Sequence, residues 1–212
     1  MVTIAAQKNI SQNRNLKTAA ELGVSYGKSH ADHHGLTNYF YGTYYMKPIA
    51  NLDEVEFTDV EDNGYYTSRR AQFSDRIGAR KVGYNLTELP PGKAQCPFHN
   101  HHNEEEMFLI LEGEGELRFG ANRYAIRKHD VIACPTGGPE VAHQIINTGT
   151  TRMRYLALST TADIEVCEYP DSNKILVSTR APSEAGLSKI FRSGSAVDYY
   201  DGENNEPPRS DT

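Results

Sequence analysis

Three histidines and one glutamate are spaced so that they could share a metal ion. His99 and His101 are separated by one residue, and on an extended chain such side chains lie on the same face. Two imidazoles side by side can bind one transition metal. Glu106 begins the apolar run EMFLIL, and His143, in AHQIIN, is the candidate for a third imidazole from a distant strand. These four residues form the predicted metal site.

Neighbouring acidic and imidazole groups offer alternatives to this set. Glu104 and Glu105 would replace Glu106 if the register of the loop shifted, but Glu106 is the residue that begins the strand. His102 is expected on the face opposite His101, where it contacts solvent or supports a ligand. We therefore favour Glu106 as the ligand and leave His102 outside the site.

Other polar residues near these segments are interpreted as structural. Cys96 and Cys134 could act as ligands or as a redox switch, but a buried free cysteine is usually a small hydrophobic residue. His129 could be a general base, yet it follows Arg-Lys at a turn and is expected at the surface. Asn147 is expected to bond the backbone in a turn. The His30–His34 cluster, HADHH, fits no specific metal motif and is interpreted as a solvated loop.

The order of these residues resembles the first motif of the cupin superfamily. Gly92, His99-x-His101, Glu106 and Gly113 follow one another as in that motif. Downstream, HDVIACPTGGPEVAHQIIN resembles the second cupin motif. The segments EEMFLILEGEGELRFG, AHQIINTG and CEYPDSNK are similar to a group of uncharacterised single-domain (type-2) bacterial cupins. The resemblance implies a double-stranded β-helix and a metal site more firmly than it implies a reaction.

The resemblance covers roughly residues 78–160 and departs from the family pattern in two loops. His129 occupies the place where the second motif usually begins with glycine, and five residues instead of two separate Gly137 from His143. Gly92 is also one residue further from His99 than is usual. The departures predict a longer loop ahead of His143 and leave the ligand residues themselves in place.

The strand pattern agrees with this fold. The predicted strands are IANLDEVEF, ARKVGYNLTEL, EMFLIL, VIACP, AHQIIN and RMRYLALST. A turn is predicted at the Asn-Gly of EDNGYY, and a hairpin around GAN. Short strands separated by turns are typical of an all-β jelly-roll barrel with few short helices. We predict an N-terminal extension over 1–47 that is partly disordered or arm-like. A single cupin barrel over 48–170 and a C-terminal extension over 171–212 with a disordered acidic tail follow it.

Composition excludes several classes of partner. The chain has 212 residues and a net charge of −6 without a Lys/Arg-rich run, which argues against nucleic acid and anionic membranes. No apolar run approaches the ~20 residues of a membrane span, and the N-terminus lacks the pattern of a signal peptide. With no export signal, the three cysteines are expected to be reduced in the cytoplasm; they are Cys96, Cys134 and Cys167.

The donor set predicts one divalent transition metal per chain. Imidazole nitrogen and carboxylate oxygen suit Fe, Mn, Ni, Co or Zn, and four ligands leave a position open for substrate. We predict an oxygenase, isomerase or lyase acting on a small polar metabolite, with Glu106 as ligand and possible proton acceptor. The alternative is a module that binds or senses a metal and a small ligand without turnover. A storage-type cupin is disfavoured because no export signal is present. The donor set accepts any of these five metals, and it does not select a substrate.

Side-chain parity predicts both the pocket and the oligomer. Phe108 and Ile110 share the face of Glu106, and Ile145 shares that of His143, so these three should line the substrate pocket. The opposite face of the same strand is also apolar, which is typical of a strand buried on both sides. The Tyr-rich segment 39–46 or a partner chain should cover this face. We predict a homodimer with Leu109 in or under the interface; the outward residues are Met107, Leu109 and Leu111.

Overall fold

A computed structural model describes residues 47–180 and 186–203, and β-strands dominate this part of the chain. Helical structure there consists of four single-turn 3-10 helices, at Asp75–Ile77, Pro139–Val141, Pro170–Ser172 and Ser193–Ser195. None of the described helices has the length and hydrophobicity needed to cross a bilayer. The strands, in chain order, are β1 (Asp59–Asn63), β2 (Tyr66–Gln72), β3 (Val82–Leu89), β4 (Asn100–His101), β5 (Glu106–Glu112), β6 (Glu114–Phe119), β7 (Asn122–Arg127), β8 (Val131–Cys134), β9 (His143–Ile146), β10 (Met153–Thr160), β11 (Ile164–Tyr169), β12 (Lys174–Thr179) and β13 (Ser188–Arg192).

The strands pair antiparallel in three groups that together form the barrel. One sheet has the order β1-β2-β3-β10-β5-β8, a second β13-β12-β11-β4, and a third β7-β6-β9. Neighbours such as β10 and β5 are far apart in sequence, as in a jelly roll, whereas β6 and β7 form a simple hairpin. The prediction of an all-β double-stranded β-helix with few short helices is therefore confirmed.

The inner face of β5 alternates as parity predicts. Glu106, Phe108 and Ile110 are buried, whereas Met107 and Leu109 are only partly buried. Phe108 and Ile110 belong to one continuous core that fills the barrel beneath the cavity described below. Its other buried members are Leu89, Leu117, Ile126, Ile132, Cys134, Ile145, Met153, Tyr155 and Ala157.

A second hydrophobic cluster covers part of the outer face of the six-stranded sheet. Its buried members are Ala71, Phe73 and Leu86, and Leu111 packs against them. The chain before β1 also contributes to this cluster, through Ala50, Leu52, Val55 and Phe57. Part of the apolar outer surface is thus covered by the protein's own residues.

The predicted strand IANLDEVEF is wrong, because these residues form a turn and irregular chain. Asn51 organises the turn: its side-chain Oδ1 accepts the N–H of Asp53 at 3.0 Å, and its carbonyl accepts the N–H of Glu54 at 3.0 Å. Such local bonds compete with pairing to a sheet. The apolar residues that suggested a strand pack on the outer cluster instead.

Other predicted elements agree with the structure, including the Asn63-Gly64 turn between β1 and β2 and the β6–β7 hairpin. The C-terminal strand β13, which pairs with β12, was not predicted. The division of the chain at residues 47 and 170 stays a prediction. The His30–His34 cluster, the Tyr-rich segment 39–46 and the acidic tail from residue 204 lie outside the described residues.

Candidate metal centre

Backbone pairing brings the three imidazoles to one end of the barrel. His99 and His143 exchange two backbone hydrogen bonds, with N···O distances of 3.2 and 2.7 Å, so their side chains lie side by side. His101 lies on β4, opposite Cys167 of β11. The longer loop before β9 is tied to β4, because the N–H of Gly137 donates to the carbonyl of His101 at 2.9 Å.

The four candidate ligands converge on a single point. The Nε2 atoms of His143, His101 and His99 lie 2.9, 3.4 and 3.8 Å from Oε2 of Glu106. All four donor atoms lie within 4.8 Å of one another. Ligands bound at ~2.1 Å to one ion are ~3–3.4 Å apart, so the spacing needs only small adjustments to hold a metal.

The imidazole rings are oriented through their Nδ1 atoms. Nδ1 of His99 lies 2.9 Å from the carbonyl of Pro97, and Nδ1 of His143 lies 3.4 Å from that of Val141. A carbonyl only accepts, so Nδ1 carries the proton and the Nε2 lone pair points at the site. Among the described residues, the buried Nε2 of His101 makes no hydrogen bond of good geometry, although Oε2 of Glu106 lies 3.4 Å away. A metal ion would satisfy it, and the donor set therefore fits a divalent transition metal.

The charges of the site are mutually dependent. Burial alone would raise the pKa of Glu106, but His101 and His143 outweigh it and hold this pKa well below its usual range. Burial likewise opposes the charged form of His101, but Glu106 keeps its pKa well above the ordinary value. Burial and repulsion from the other two imidazoles lower the pKa of His99 to about 3. The site thus holds an ionised carboxylate that requires a positive partner.

A cavity of about 320 Å³ opens onto the four candidate ligands. Phe108 and Ile145 line it. Ile110 does not: it lies two residues further along β5, in the part of the barrel that the core already fills, and it is fully buried there. Charged and polar side chains that line the cavity include Glu61, Arg70, Gln95, Gln144, Tyr155 and Lys174.

The alternative ligands lie elsewhere. Glu104 is buried but accepts the N–H of Ala162 at 3.0 Å, and it is not among the clustered donor atoms. Glu105 is exposed. His102 is exposed as well, with Nε2 3.5 Å from Glu168 on the outer side of β11. The structure thus brings Glu106, and none of these three, to the imidazoles.

Cys134, His129 and Asn147 match their interpretations, whereas Cys96 is only partly buried and lies at the cavity. Cys134 is buried in the core, and Cys96 lines the cavity with its sulfur 3.7 Å from Nδ1 of His99. Burial and nearby Glu106 raise the pKa of the Cys96 thiol to about 12, so it is not a thiolate. His129 is exposed in a turn with φ of 78°. Asn147 donates to the carbonyls of Leu89 and Thr151 at 2.8 and 2.9 Å.

Three residues at or behind the site were not predicted. Glu165 and Cys167 contact His101 from the side away from Glu106, with distances of 3.5 and 3.2 Å to its Nδ1. Alternation within IEVCEY places both on one face, which was a usable signal. Arg70 lies in the barrel interior although it is charged, and nothing in its local sequence separates it from the exposed Arg69.

The cupin domain model matches residues 85–159, the segment that carries both motifs and all four candidate ligands. Residues 85–159 form a cupin domain. This cupin is 33% identical over 90 residues to an uncharacterized protein of Methanocaldococcus jannaschii. It is 38% identical over 71 residues to an oxalate-binding protein of Thermotoga maritima. These matches cover 42% and 34% of the cupin, and 62% and 55% of the relatives, so it spans less than two thirds of either.

The structure of a candidate sugar phosphate isomerase from Acidithiobacillus ferrooxidans resembles the cupin more extensively. The TM-score is 0.61 and the sequence identity 25%, over 72% of this chain and 96% of the other. The likeness therefore extends beyond the segment of the two motifs.

Proposed function

We propose that this cupin is a mononuclear metal-dependent enzyme that transfers a proton on a small anionic hydroxy-carbonyl metabolite, an isomerase-type reaction. The observation that carries the proposal is the convergence of three Nε2 atoms on Oε2 of the buried Glu106, in the wall of a cavity large enough for a small metabolite. Structural metal sites are closed, whereas this set faces open space.

The four candidate ligands would hold Fe(II), Mn, Co, Ni or Zn. When bound, such an ion supplies Lewis-acid polarisation of a carbonyl or hydroxyl oxygen. The three imidazoles fix the geometry of the site through their Nδ1 contacts. Phe108 and Ile145 restrict water around the reacting carbon.

Glu106 is the proposed proton acceptor, but its low pKa makes it a weak base while His101 and His143 contact it. It would gain basicity only when the carboxylate moves away from those imidazoles. Glu61, on β1, lines the same cavity and is the second carboxylate to be tested for this role.

The charges around the cavity favour an anionic substrate. Two cationic side chains in the cavity wall, Arg70 and Lys174, are the groups that would bind an anionic part of the substrate. Arg70 is 6% exposed, and Asp59 orients its guanidinium with a contact of 2.8 Å. The similarity to a candidate sugar phosphate isomerase supports a phosphorylated substrate.

Hydrogen–deuterium exchange tests the reaction. The metal-loaded protein is incubated in D₂O with a panel of aldose and ketose phosphates, and proton NMR follows the hydrogen on the carbon next to the carbonyl. We expect deuterium to enter that position with wild-type protein and not with His101→Ala. Glu106→Gln and Glu61→Gln identify the base. No exchange with any member of the panel, with metal bound, would contradict the isomerase assignment.

A binding function without turnover is the second candidate, favoured by the similarity to an oxalate-binding protein. Calorimetric titration of the metal-loaded protein with oxalate separates the two. Tight oxalate binding together with no exchange on the sugar phosphate panel would support this candidate. Exchange on the panel would support the enzyme.

A further inference from the structure

We propose that Glu165 is a positioning residue that, together with Cys167, keeps the proton of His101 on Nδ1 and so turns the Nε2 lone pair toward the metal. This proposal rests on the metal site proposed above. It assigns a role to two side chains of β11: Glu165, which is not part of the cavity wall, and Cys167, which is.

The Glu165 carboxylate is fixed in place. It is 2% exposed, and its Oε1 accepts the backbone N–H groups of His102 at 3.1 Å and Asn103 at 3.4 Å. The same oxygen lies 3.5 Å from Nδ1 of His101. A buried carboxylate with donors on one side and an imidazole on the other favours an N–H directed at it.

Cys167 completes the arrangement of protons. Its sulfur lies 3.2 Å from Nδ1 of His101 and 4.0 Å from Oε1 of Glu165. A thiol has one S–H to donate, and the geometry directs it at Oε1 of Glu165. Donation to the carboxylate leaves a sulfur lone pair to accept the Nδ1–H of His101. An ionised Glu165 therefore accepts the S–H of Cys167 and favours the proton of His101 on Nδ1.

His101 differs in this respect from the other two imidazoles. Nδ1 of His99 and of His143 each lie near a backbone carbonyl, which only accepts, although the thiol of Cys96 also lies 3.7 Å from Nδ1 of His99. Nδ1 of His101 faces side chains that include a potential donor, the thiol of Cys167. The tautomer of His101 is thus set by side chains, and a side-chain substitution can change it.

The same three residues could in principle hold a second ion, since His101, Glu165 and Cys167 place their donor atoms within 4.8 Å of one another. Oε1 of Glu165 is already bonded to two backbone N–H groups, which favours the positioning role. Zinc stoichiometry distinguishes the two arrangements.

Glu165→Gln provides the main test, with Glu168→Gln as its matched control. Glu168 lies on the same strand and contacts His102, which is not a ligand. Removing a group that orients a metal ligand typically weakens metal binding ~10–100-fold. We expect that loss of zinc affinity in Glu165→Gln, measured by competition with a chromophoric chelator, and an unchanged affinity in Glu168→Gln. Cys167→Ala should change the affinity much less than Glu165→Gln, because the carboxylate still faces Nδ1.

A second measurement needs no variant. In the zinc-loaded wild-type protein, long-range proton–nitrogen NMR spectra identify which nitrogen of His101 carries the hydrogen. A proton on Nδ1 supports the proposal, and a proton on Nε2 overturns it. In Glu165→Gln the Nδ1–H signal should shift upfield, which general loss of packing would not cause.

Three results would overturn the positioning role. One is equal zinc affinity in Glu165→Gln and wild-type protein. Another is a second zinc equivalent in wild-type protein that Glu165→Gln loses, which would assign the three residues to a second site. The third is wild-type protein that binds no zinc, manganese, iron, cobalt or nickel, in which case the proposed metal centre itself fails.

Discussion

The two faces of β5 carry similar apolar residues but have different roles. On the inner face, Glu106 reaches the imidazoles, Phe108 lines the cavity and Ile110 packs in the core. On the outer face, Met107 and Leu109 remain half-buried. Alternation decides which face a residue occupies, but what covers the outer face depends on distant parts of the chain.

The outer face is itself divided. Leu111 packs on the cluster that includes residues from the chain before β1. Leu109 lies beside Val131 of β8, which is 64% exposed. Among the described residues, one part of this face is covered by the chain before β1, whereas an apolar area around Leu109 and Val131 is not. The following predictions test the contrast between the two faces.

The largest expected difference is in stability. Ile110→Ala leaves a cavity in a fully buried position and should lower the free energy of unfolding by about 3–4 kcal/mol. Leu109→Ala, one residue away on the outer face, should cost about 1 kcal/mol in the same chain. Urea unfolding of the metal-free variants measures both. Equal losses would show that the two faces are equally packed.

The effects of substitution on metal affinity should differ in the same way between His101, which faces the site, and His102, which faces solvent. His101→Ala removes one of four ligands and should weaken binding more than the ~10–100-fold typical of supporting residues. His102→Ala, at an exposed position, should leave it unchanged. Glu106→Gln should have a smaller effect than His101→Ala, because an amide oxygen remains. Chelator competition measures the three affinities, and a full metal complement in His101→Ala would exclude the proposed site.

The pH dependence of metal affinity follows from the inner-face charges. In the metal-free protein Glu106 outweighs burial and holds the pKa of His101 well above 6.5, so metal binding must displace a proton from its Nε2. Below that pKa the affinity should rise about tenfold for each unit of pH. His99, with a pKa of about 3, adds no slope near neutral pH. Titrations from about pH 6 to 8 measure this, and a flat profile would contradict the assigned charges.

The last prediction concerns the oligomeric state, which depends on the outer face. We propose that the area around Leu109 forms the interface of a homodimer. Leu109→Asp should then produce a monomer in sedimentation at micromolar concentration, whereas Ile164→Asp, at an exposed apolar position on β11, should not. A wild-type monomer would refute the dimer.

Local rules predict much of this site, and their failures have physical causes. Parity pairs His99 with His101, and the resemblance to the two cupin motifs adds Glu106 and His143; the structure brings these four together. Ile110 was placed in the pocket because parity gives the face of a strand and not the depth along it. Glu165 was missed because its partner His101 is distant in sequence, and Arg70 was missed because a charged side chain is not expected in a barrel interior. The false strand at residues 49–57 arose because side-chain bonding by Asn51 overrides an apolar pattern.

Elemental analysis of protein purified without chelators tests the central claim most directly. We predict one equivalent of a divalent transition metal per wild-type chain, and almost none in His143→Ala purified in parallel. Zinc would favour Lewis-acid chemistry, and iron would favour reactions with dioxygen. Wild-type protein without metal, even after incubation with each candidate ion, or His143→Ala with a full equivalent, would contradict the proposed metal centre.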